Sequence, residues 1–147
     1  MKKQISRALL GLAAALALAV AAHAQVLNAV VISVPFDFVA GEKQLPAGRY
    51  TVRRVRSDAE SALLIRSEDG RSTAVVLTNT GDANPRTAAL VFRQHGDRYF
   101  LAEVSVPGTA SVRELPRAGA ERRLERELAA QNKSGESKTV TVVGSVQ

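Results

Sequence analysis

The sequence predicts a mainly β fold, an antiparallel sandwich or small barrel of about six or seven strands with one C-terminal helix. Three observations support this prediction. Short runs rich in β-branched and aromatic residues alternate with turn signals as far as Pro107 and Gly108. Two of these turn signals separate apolar runs at the spacing of a hairpin. After Pro116 the composition changes to Ala, Glu, Arg and Leu, residues that favour helix.

The first predicted strand runs from Val26 to Val39 and is bent or interrupted near Pro35, because proline cannot donate a ladder hydrogen bond. A turn-rich connection follows, and the extended pattern resumes from Arg49 to Val55. Side chains of a strand alternate between its two faces. One face of this second strand carries Tyr50, Val52 and Arg54, and the other carries Thr51, Arg53 and Val55.

The clearest hairpin signal is the pair Asp69 and Gly70, which suits a tight turn and lies between the apolar runs ALLIR and TAVVL. A longer loop is predicted from Thr78 to Arg86, where turn-forming residues dominate. A second hairpin joins Ala88–Gln94 to Tyr99–Val106. In its second strand Phe100, Ala102, Val104 and Val106 alternate with Tyr99, Leu101, Glu103 and Ser105, which predicts one buried and one mixed face.

The segment from Arg117 to Gln131 is predicted to form a helix of about four turns. Its apolar stripe, Leu124 and Leu128, is narrow, so we expect the helix to pack on an edge or end of the sheet without entering the core. A polar linker follows. Beyond it, Thr139–Val143 has strong strand propensity and either closes the sheet as a last strand or remains a loose tail, with pairing favoured.

Residues 1–24 have the pattern of an export signal. A basic head precedes an apolar run, and the A-x-A sequence that ends at Ala24 predicts cleavage before Gln25. The alternative is a retained membrane anchor, but a run of about 15 apolar residues is shorter than the roughly 20 that a spanning helix needs. The predicted organisation is a signal peptide at 1–24, a β-rich domain ending in a helix at 25–131, and a polar linker with a candidate last strand at 132–147.

The charge balance and composition disfavour several functions. The whole chain has 20 Lys and Arg residues against 14 Asp and Glu, and Lys2, Lys3 and Arg7 leave with the signal. The remaining 17 basic residues exceed the 14 acidic ones by only three. A nucleic-acid partner is therefore not expected, because phosphate binding requires a strong, clustered basic field. The chain has no cysteine, so it contains no disulfide and no thiolate metal site.

Four motifs carry a resemblance to known proteins. They are PFDFVAGEKQLPAGRY at Pro35–Tyr50, SALLIRSEDG at Ser61–Gly70, GDRYFL at Gly96–Leu101 and RELP at Arg113–Pro116. In this combination the chain resembles an uncharacterised family of small exported bacterial β-rich proteins with a PFxFxxGxxLPAGxY motif. The resemblance implies export and a β-rich fold, and it supplies no catalytic residue. The motif residues also have a structural interpretation, because aromatic residues at strand spacing are typical of a core.

Histidine chemistry has little support in this sequence. His95 is the only histidine after the signal, so a histidine-based metal cluster is not expected, and its position beside Gly96 favours a polar turn residue. Asp82 lacks the spacing of a calcium-binding loop. No G-x-S-x-G, H-E-x-x-H, Walker or G-x-G-x-x-G sequence occurs. We therefore expect no cofactor and no metal.

Two near pairs of carboxylates are candidates for acid-base chemistry, Asp58 with Glu60 and Glu68 with Asp69. Both pairs lie in predicted surface turns, where ordinary solvation is expected. The sequence consequently predicts no catalytic residue and a protein that is not an enzyme.

A cluster of arginines is the strongest candidate for a binding site. Arg49, Arg53, Arg54 and Arg56 lie on and just after one predicted strand, and Arg53 and Arg54 fall on opposite faces. The simplest interpretation is a solvated outer sheet face. The alternative is an anion-docking patch for lipid headgroups or acidic polysaccharide. On the helix, Arg117 with Glu121 and Arg123 with Glu127 have the spacing of exposed ion pairs.

These observations favour an exported, non-enzymatic β-domain, periplasmic or secreted, with a binding or structural role toward an envelope or extracellular component. An alternative function is a carrier of a small apolar ligand, with a barrel cavity lined by Phe36, Phe38, Leu64 and Phe92. An enzyme of unfamiliar type is a third hypothesis, which requires a cleft where polar groups converge.

Overall fold

A computed structural model describes residues 29–55, 61–109, 111–131 and 137–146. Within them the chain forms twelve short strands and one helix, which confirms a mainly β fold with a helix near the C-terminus. More strands are present than predicted because several extended stretches are divided into two. The strands are β1 (Val30–Val34), β2 (Phe38–Ala40), β3 (Lys43–Leu45), β4 (Gly48–Arg54), β5 (Ala62–Ser67), β6 (Thr73–Leu77), β7 (Asn79–Gly81), β8 (Ala89–His95), β9 (Arg98–Ser105), β10 (Val112–Glu114), β11 (Lys138–Val143) and β12 (Ser145–Val146), and the helix is α1 (Gly119–Ala130).

The strands form two sheets. Sheet A is antiparallel and has the order β12-β1-β4-β5-β6. Sheet B has the order β11-β8-β9-β10-β7, and β2 joins it by parallel pairing with β9 and antiparallel pairing with β3. The predicted first strand is interrupted near Pro35, as expected, and its two halves separate into different sheets. Proline favours this break because it has no N–H to continue a ladder.

Two extended stretches pass from one sheet to the other at corners. Thr78 separates β6 from β7, and Gly144 separates β11 from β12. The Thr78 N–H donates to the Ser61 carbonyl at 2.7 Å, and the Gly144 N–H donates to the Ala88 carbonyl at 2.8 Å, so hydrogen bonding continues at both corners. The two curled sheets are thereby joined along two sides.

The core lies between the inner faces of the two sheets. Phe38 packs edge to face on Tyr50 and on Phe92, with ring centroids 5.2 and 5.3 Å apart. The Tyr50 hydroxyl donates to the Pro46 carbonyl at 2.6 Å, which satisfies its polar end beside the core. The aromatic residues of the PFxFxxGxxLPAGxY motif thus contribute packing, and its Pro46 accepts the hydrogen bond that orients one of them.

The four residues expected to line an apolar cavity do not share one interior. Phe36 stacks on Tyr99 with centroids 3.9 Å apart and packs edge to face on Phe92, so these rings pack against one another between the sheets. Leu64 lies between two inward-facing residues of β5 and therefore projects from the outer face of sheet A. The expected lining is wrong for Leu64.

Both predicted hairpins are present. In the β5–β6 turn Gly70 has a φ of 71°, and in the β8–β9 turn Gly96 has a φ of 60°, conformations that favour glycine. The prediction of a loop from Thr78 to Arg86 is wrong in part, because Asn79–Gly81 forms β7 and pairs with β10. The predicted last strand, Thr139–Val143, lies within β11 and pairs with β8, which confirms the favoured alternative.

A bulge in β9 changes the faces predicted for that strand. The register between β8 and β9 shifts next to Phe92, and Ala102 is the residue that is skipped. An extra residue reverses the alternation of side chains beyond it. Leu101 and Val104 therefore both belong to the main core, whereas Phe100 faces the other side of sheet B. The expectation that Phe100 and Val104 share one face is wrong.

Helix α1 packs on the outer face of sheet B, and the expectation of an edge or end position is wrong. Val39, Phe100 and Ala118 form a second small buried cluster there, and Ala120 and Leu124 pack against it. The outward-facing Phe100 supplies the apolar surface that the narrow stripe of the helix covers. The helix is shorter at both ends than predicted.

Candidate functional site

The outer face of sheet A carries two of the four arginines of the predicted patch. The side chains of β4 alternate in burial, and Tyr50 and Val52 are the fully buried ones. Arg49 and Arg53 therefore lie on the outer face, on either side of Thr51. On this face Arg49 is exposed and Arg53 is half-buried.

Arg54 does not join this face. It pairs with Leu63, whose side chain belongs to the core, so Arg54 projects from the inner side at the end of β4, where it is half-buried. Consecutive residues of a strand point to opposite faces, and the four arginines cannot form one surface. The predicted patch is corrected accordingly, and Arg56 lies outside the described residues.

Arg66 is a member of the outer face that the sequence reasoning missed. It is exposed at the end of β5 and pairs with Thr51, which places it between the positions of Arg49 and Arg53 on the neighbouring strand. The alternation in ALLIRS was the available signal, because inward-facing leucine and isoleucine at 63 and 65 require that residue 66 faces outward.

Exposed apolar side chains lie beside these arginines. In the register of the sheet Arg53 is opposite Leu64, and Leu64 is opposite Val75. Val75 is 61% exposed, and Leu77, two residues further along β6, is 69% exposed. Grouped apolar residues on a surface are typical of a contact site. We call this surface the docking face, and its residues are Arg49, Arg53, Arg66, Leu64, Val75 and Leu77.

The positive charge of the docking face is largely uncompensated. Arg49 Nη1 lies 3.6 Å from Glu68 Oε1, but both side chains are exposed, and such a pair contributes only about 0–1 kcal/mol. Arg53 and Arg66 make no ion pair with another residue in the described part of the chain. The charges of Arg53 and Arg66 are therefore not neutralised by an ion pair within the described residues.

Of the carboxylates considered as acid-base candidates, Glu68 and Asp69 do not form a reactive pair. Asp69 accepts hydrogen bonds from the Ser67 hydroxyl at 2.5 Å and from the Arg71 N–H at 3.0 Å. The bond from Ser67, followed by that from Arg71, lowers the pKa of Asp69. Its role is to hold the β5–β6 turn, while Glu68 faces Arg49. Asp58 and Glu60 lie outside the described residues.

An ionic cluster with a buried centre, His95 and Glu121, lies between α1 and the outer face of sheet B. Arg93 donates to both oxygens of Glu121, from Nε to Oε1 at 2.7 Å and from Nη2 to Oε2 at 3.0 Å. His95 Nε2 lies 3.1 Å from Glu121 Oε1 and 3.6 Å from Glu125 Oε1. The other oxygen of Glu125 lies 3.3 Å from Arg117 Nη1. These five residues define the ionic cluster.

Glu121 is ionised within this cluster although it is fully buried. Burial by itself raises the pKa of a carboxyl group, but hydrogen bonds from Arg93 and His95, and their charges, outweigh it and lower the pKa of Glu121. Because an ionised carboxylate only accepts hydrogen bonds, the hydrogen between His95 and Glu121 belongs to the imidazole Nε2. The cluster thus joins the helix to the sheet by charge-assisted hydrogen bonds.

The cluster corrects two predictions. His95 is the last residue of β8 and is buried against Glu121, whereas the sequence predicted a polar turn residue. Glu121 pairs with Arg93 of the sheet, and Arg117 pairs with Glu125, so the predicted surface pair between residues 117 and 121 is wrong. A signal was present, because Glu121 lies three residues before Leu124 and so shares the apolar stripe.

Three side chains of the cluster also have the spacing of metal ligands. One ligand atom each of His95, Glu121 and Glu125 lies within 4.8 Å of the others. This group was not predicted from the sequence, because a histidine-containing metal site was expected to need several histidines. Arg93, however, already donates to both oxygens of Glu121. Its guanidinium supplies the positive charge that a cation would bring, so the arrangement is better suited to holding the helix on the sheet than to binding a metal.

Within the residues that the structure describes, no helix has the length and apolar character needed to span a membrane. Comparisons of the chain with protein-family models, with curated proteins and with solved structures found no match.

Proposed function

We propose that the protein is an exported, non-enzymatic domain that docks onto an anionic lipid surface of the cell envelope through the docking face. One observation carries the proposal: Arg53 and Arg66 lie on the same sheet face as the exposed apolar residues Val75 and Leu77. A lipid surface offers a complement to both kinds of group at once.

The arginines supply the electrostatic part of the attraction. A Lys or Arg near an anionic lipid surface contributes about 1 kcal/mol at physiological ionic strength. Arg49, Arg53 and Arg66 project from one sheet face, so all three can approach a flat surface together. Their combined contribution of about 3 kcal/mol adds to that of the apolar residues, and it weakens as salt is added.

The apolar residues favour lipid over acidic polysaccharide. Val75 and Leu77 gain free energy only where they leave water, and a fully buried aliphatic side chain contributes about 1.5–3 kcal/mol. The headgroup and acyl boundary of a bilayer offers such a phase. A hydrated anionic polysaccharide attracts the arginines equally well but provides little for these two side chains.

The sequence supports the envelope as the location. The basic head, apolar run and A-x-A site of residues 1–24 are typical of an export signal, and the motifs at Pro35–Tyr50 and Ser61–Gly70 resemble small exported β-rich proteins. Both remain predictions. The carrier hypothesis loses Leu64 from its expected cavity lining, so the docking function has the stronger structural support.

Binding of the purified protein to vesicles tests the proposal. With phosphatidylglycerol vesicles at about 0.1 M salt we expect binding, and with phosphatidylcholine vesicles little or none. The double variant Arg53→Gln, Arg66→Gln removes about 2 kcal/mol of attraction and should bind about ten- to thirty-fold more weakly. The matched control is Arg123→Gln, Arg126→Gln, which removes the same charge from the exposed side of α1 and should bind like wild type.

A second pair of variants tests the apolar contribution. Leu77→Ser should weaken vesicle binding, whereas Val143→Ser, at a residue that is 64% exposed on sheet B, should not. Equal losses for the docking-face and α1 arginine variants would overturn the proposed surface. Binding to an acidic polysaccharide that is insensitive to Leu77→Ser, together with no binding to vesicles, would overturn the lipid partner.

A further inference from the structure

Strand β6 has one unpaired edge among the described residues. It is the last strand of sheet A, and β5 is its sole partner there. Two hydrogen bonds flank the β5–β6 ladder: the Ser67 N–H donates to the Ser72 carbonyl, and the Thr78 N–H donates to the Ser61 carbonyl. Because backbone groups along a strand point alternately to its two sides, the even-numbered residues of β6 point their N–H and C=O groups toward β5. The N–H and C=O groups of Thr73, Val75 and Leu77 therefore lie in the plane of the sheet and point away from β5.

This edge lacks the features that usually prevent strands from pairing between molecules. Exposed edges of natural sheets are commonly protected by charged residues, proline, bulges or very short strands. The sequence of β6, TAVVL, has no charge and no proline, and its register with β5 is regular over its whole length. Two of its side chains on the outer face of sheet A, Val75 and Leu77, are strongly exposed.

We propose that β6 pairs with β6 of a second copy of this chain, antiparallel and about a two-fold axis at Val75. Val75 then lies opposite Val75 of the second copy, and Thr73 lies opposite Leu77 of that copy. Each of these pairs exchanges both backbone hydrogen bonds, because these are the residues whose N–H and C=O groups point outward. The interface is self-complementary, as a two-fold interface must be.

The side chains of β6 favour a second copy as the occupant. On the outer face, Leu64 lies beside Val75, so the pairing would form one apolar row of Leu64, Val75 and their two counterparts. The charged neighbour Arg66 lies beside Thr73, which faces an uncharged leucine across the interface. No like charges are brought directly opposite each other by the residues of β6.

Pairing through β6 does not depend on the proposed function, but it would change how the docking face meets a surface. A two-fold axis perpendicular to an antiparallel sheet leaves both outer faces on the same side of the assembly. The two docking faces would therefore meet one surface together, and the second contact would be intramolecular, which raises the overall affinity without a new type of contact.

Sedimentation velocity of the protein without lipid tests the pairing separately from lipid docking. We expect wild type to convert from monomer to dimer as its concentration rises. Val75→Lys should weaken this association at least ten-fold, because the two new ammonium groups lie directly opposite each other. The matched control Val143→Lys places the same charge at an equally exposed valine of β11 and should dimerise like wild type.

Proline at Val75 is a second variant that separates pairing from folding. Val75→Pro removes an N–H that points away from β5, so it removes no ladder hydrogen bond of the monomer, and proline is tolerated at such positions of edge strands. It should keep the circular dichroism spectrum of wild type and remain monomeric. A wild-type chain that stays monomeric at all concentrations, or a dimer unaffected by both variants, would overturn the proposal.

The absence of cysteine allows a test of the register. Directly opposed residues that exchange hydrogen bonds have Cα atoms about 5.5 Å apart, whereas the two copies of residue 77 would be offset by four residues, about 14 Å. A short thiol cross-linker should therefore join Val75→Cys chains into covalent dimers much faster than Leu77→Cys chains. Equal cross-linking of the two variants would exclude a two-fold axis at Val75.

Discussion

Arg93 of β8 holds Glu121 of α1 by two hydrogen bonds of 2.7 and 3.0 Å, and the carboxylate it holds is fully buried. This relationship connects the helix to a strand residue 28 positions earlier in the chain. Because the apolar cluster beneath the helix is small, we expect these charged contacts to contribute to the position that α1 takes on the sheet.

We expect Glu121→Gln to destabilise the fold by about 3 kcal/mol. Breaking a buried pair by removing one partner costs about 3–5 kcal/mol, and the lower end applies because Arg93 retains some contact with water. The measurement is the free energy of unfolding in urea. The control is Glu127→Gln, an exposed residue of the same helix, which should change it by less than about 0.5 kcal/mol. Equal small effects would contradict a stabilising role for the ionic cluster.

The same carboxylate predicts a dependence of stability on pH. The pKa of Glu121 is lower in the folded chain than its ordinary value of 4.5, so its ionisation stabilises the fold above pH 4.5, and that contribution is lost as the pH falls through the folded-state pKa. Wild type should therefore lose its advantage over Glu121→Gln in acid. Urea unfolding of both proteins from neutral pH to about pH 3 measures this, and a constant difference would contradict it.

Gly144 lies at the corner between β11 and β12, where a larger residue does not fit. A Cβ atom built there would lie 2.6 Å from the Val31 carbonyl oxygen and 3.0 Å from Ile32 Cβ. Gly144→Ala should therefore cost about 1–3 kcal/mol, the usual range for an overpacked site. Gly48→Ala is the control, because its Cβ would meet Tyr50 Cε2 at an ordinary 3.7 Å. Similar thermal midpoints for the two variants would show that the corner can relax.

Processing at the N-terminus is a prediction from the sequence alone. The basic head, apolar run and A-x-A site predict cleavage after Ala24, so the intact mass of exported protein should correspond to a chain that begins at Gln25. Replacing Ala24 with a bulky residue should impair cleavage. Recovery of an unprocessed chain that remains in the membrane would favour the anchor instead.

Much of the fold follows from local patterns. Gly70 and Gly96 mark the two hairpins because their turns need a positive φ, and Pro35 divides the first strand because it has no N–H. These effects act within a few residues, so they are readable without a structure. Part of the candidate site follows in the same way, since the alternation of β4 separates Arg53 from Arg54.

The rest depended on contacts between residues distant in the chain. The skipped Ala102 leaves Phe100 and Val104 on opposite faces, and no residue type in β9 signals a bulge at that point. That Arg53 and Val75 lie on one surface depends on the pairing of β4 with β5 and of β5 with β6.

By itself, then, the sequence determined the fold class, the two hairpin turns and the separation of Arg53 from Arg54 onto opposite faces, because these follow from backbone conformation and the two-residue period of a strand. Tertiary structure alone decided that His95 is buried and that Glu121 is held by Arg93. A charged residue is buried only where a partner compensates its loss of hydration. Which residue becomes that partner depends on how the helix packs on the sheet, and the local sequence does not determine that packing.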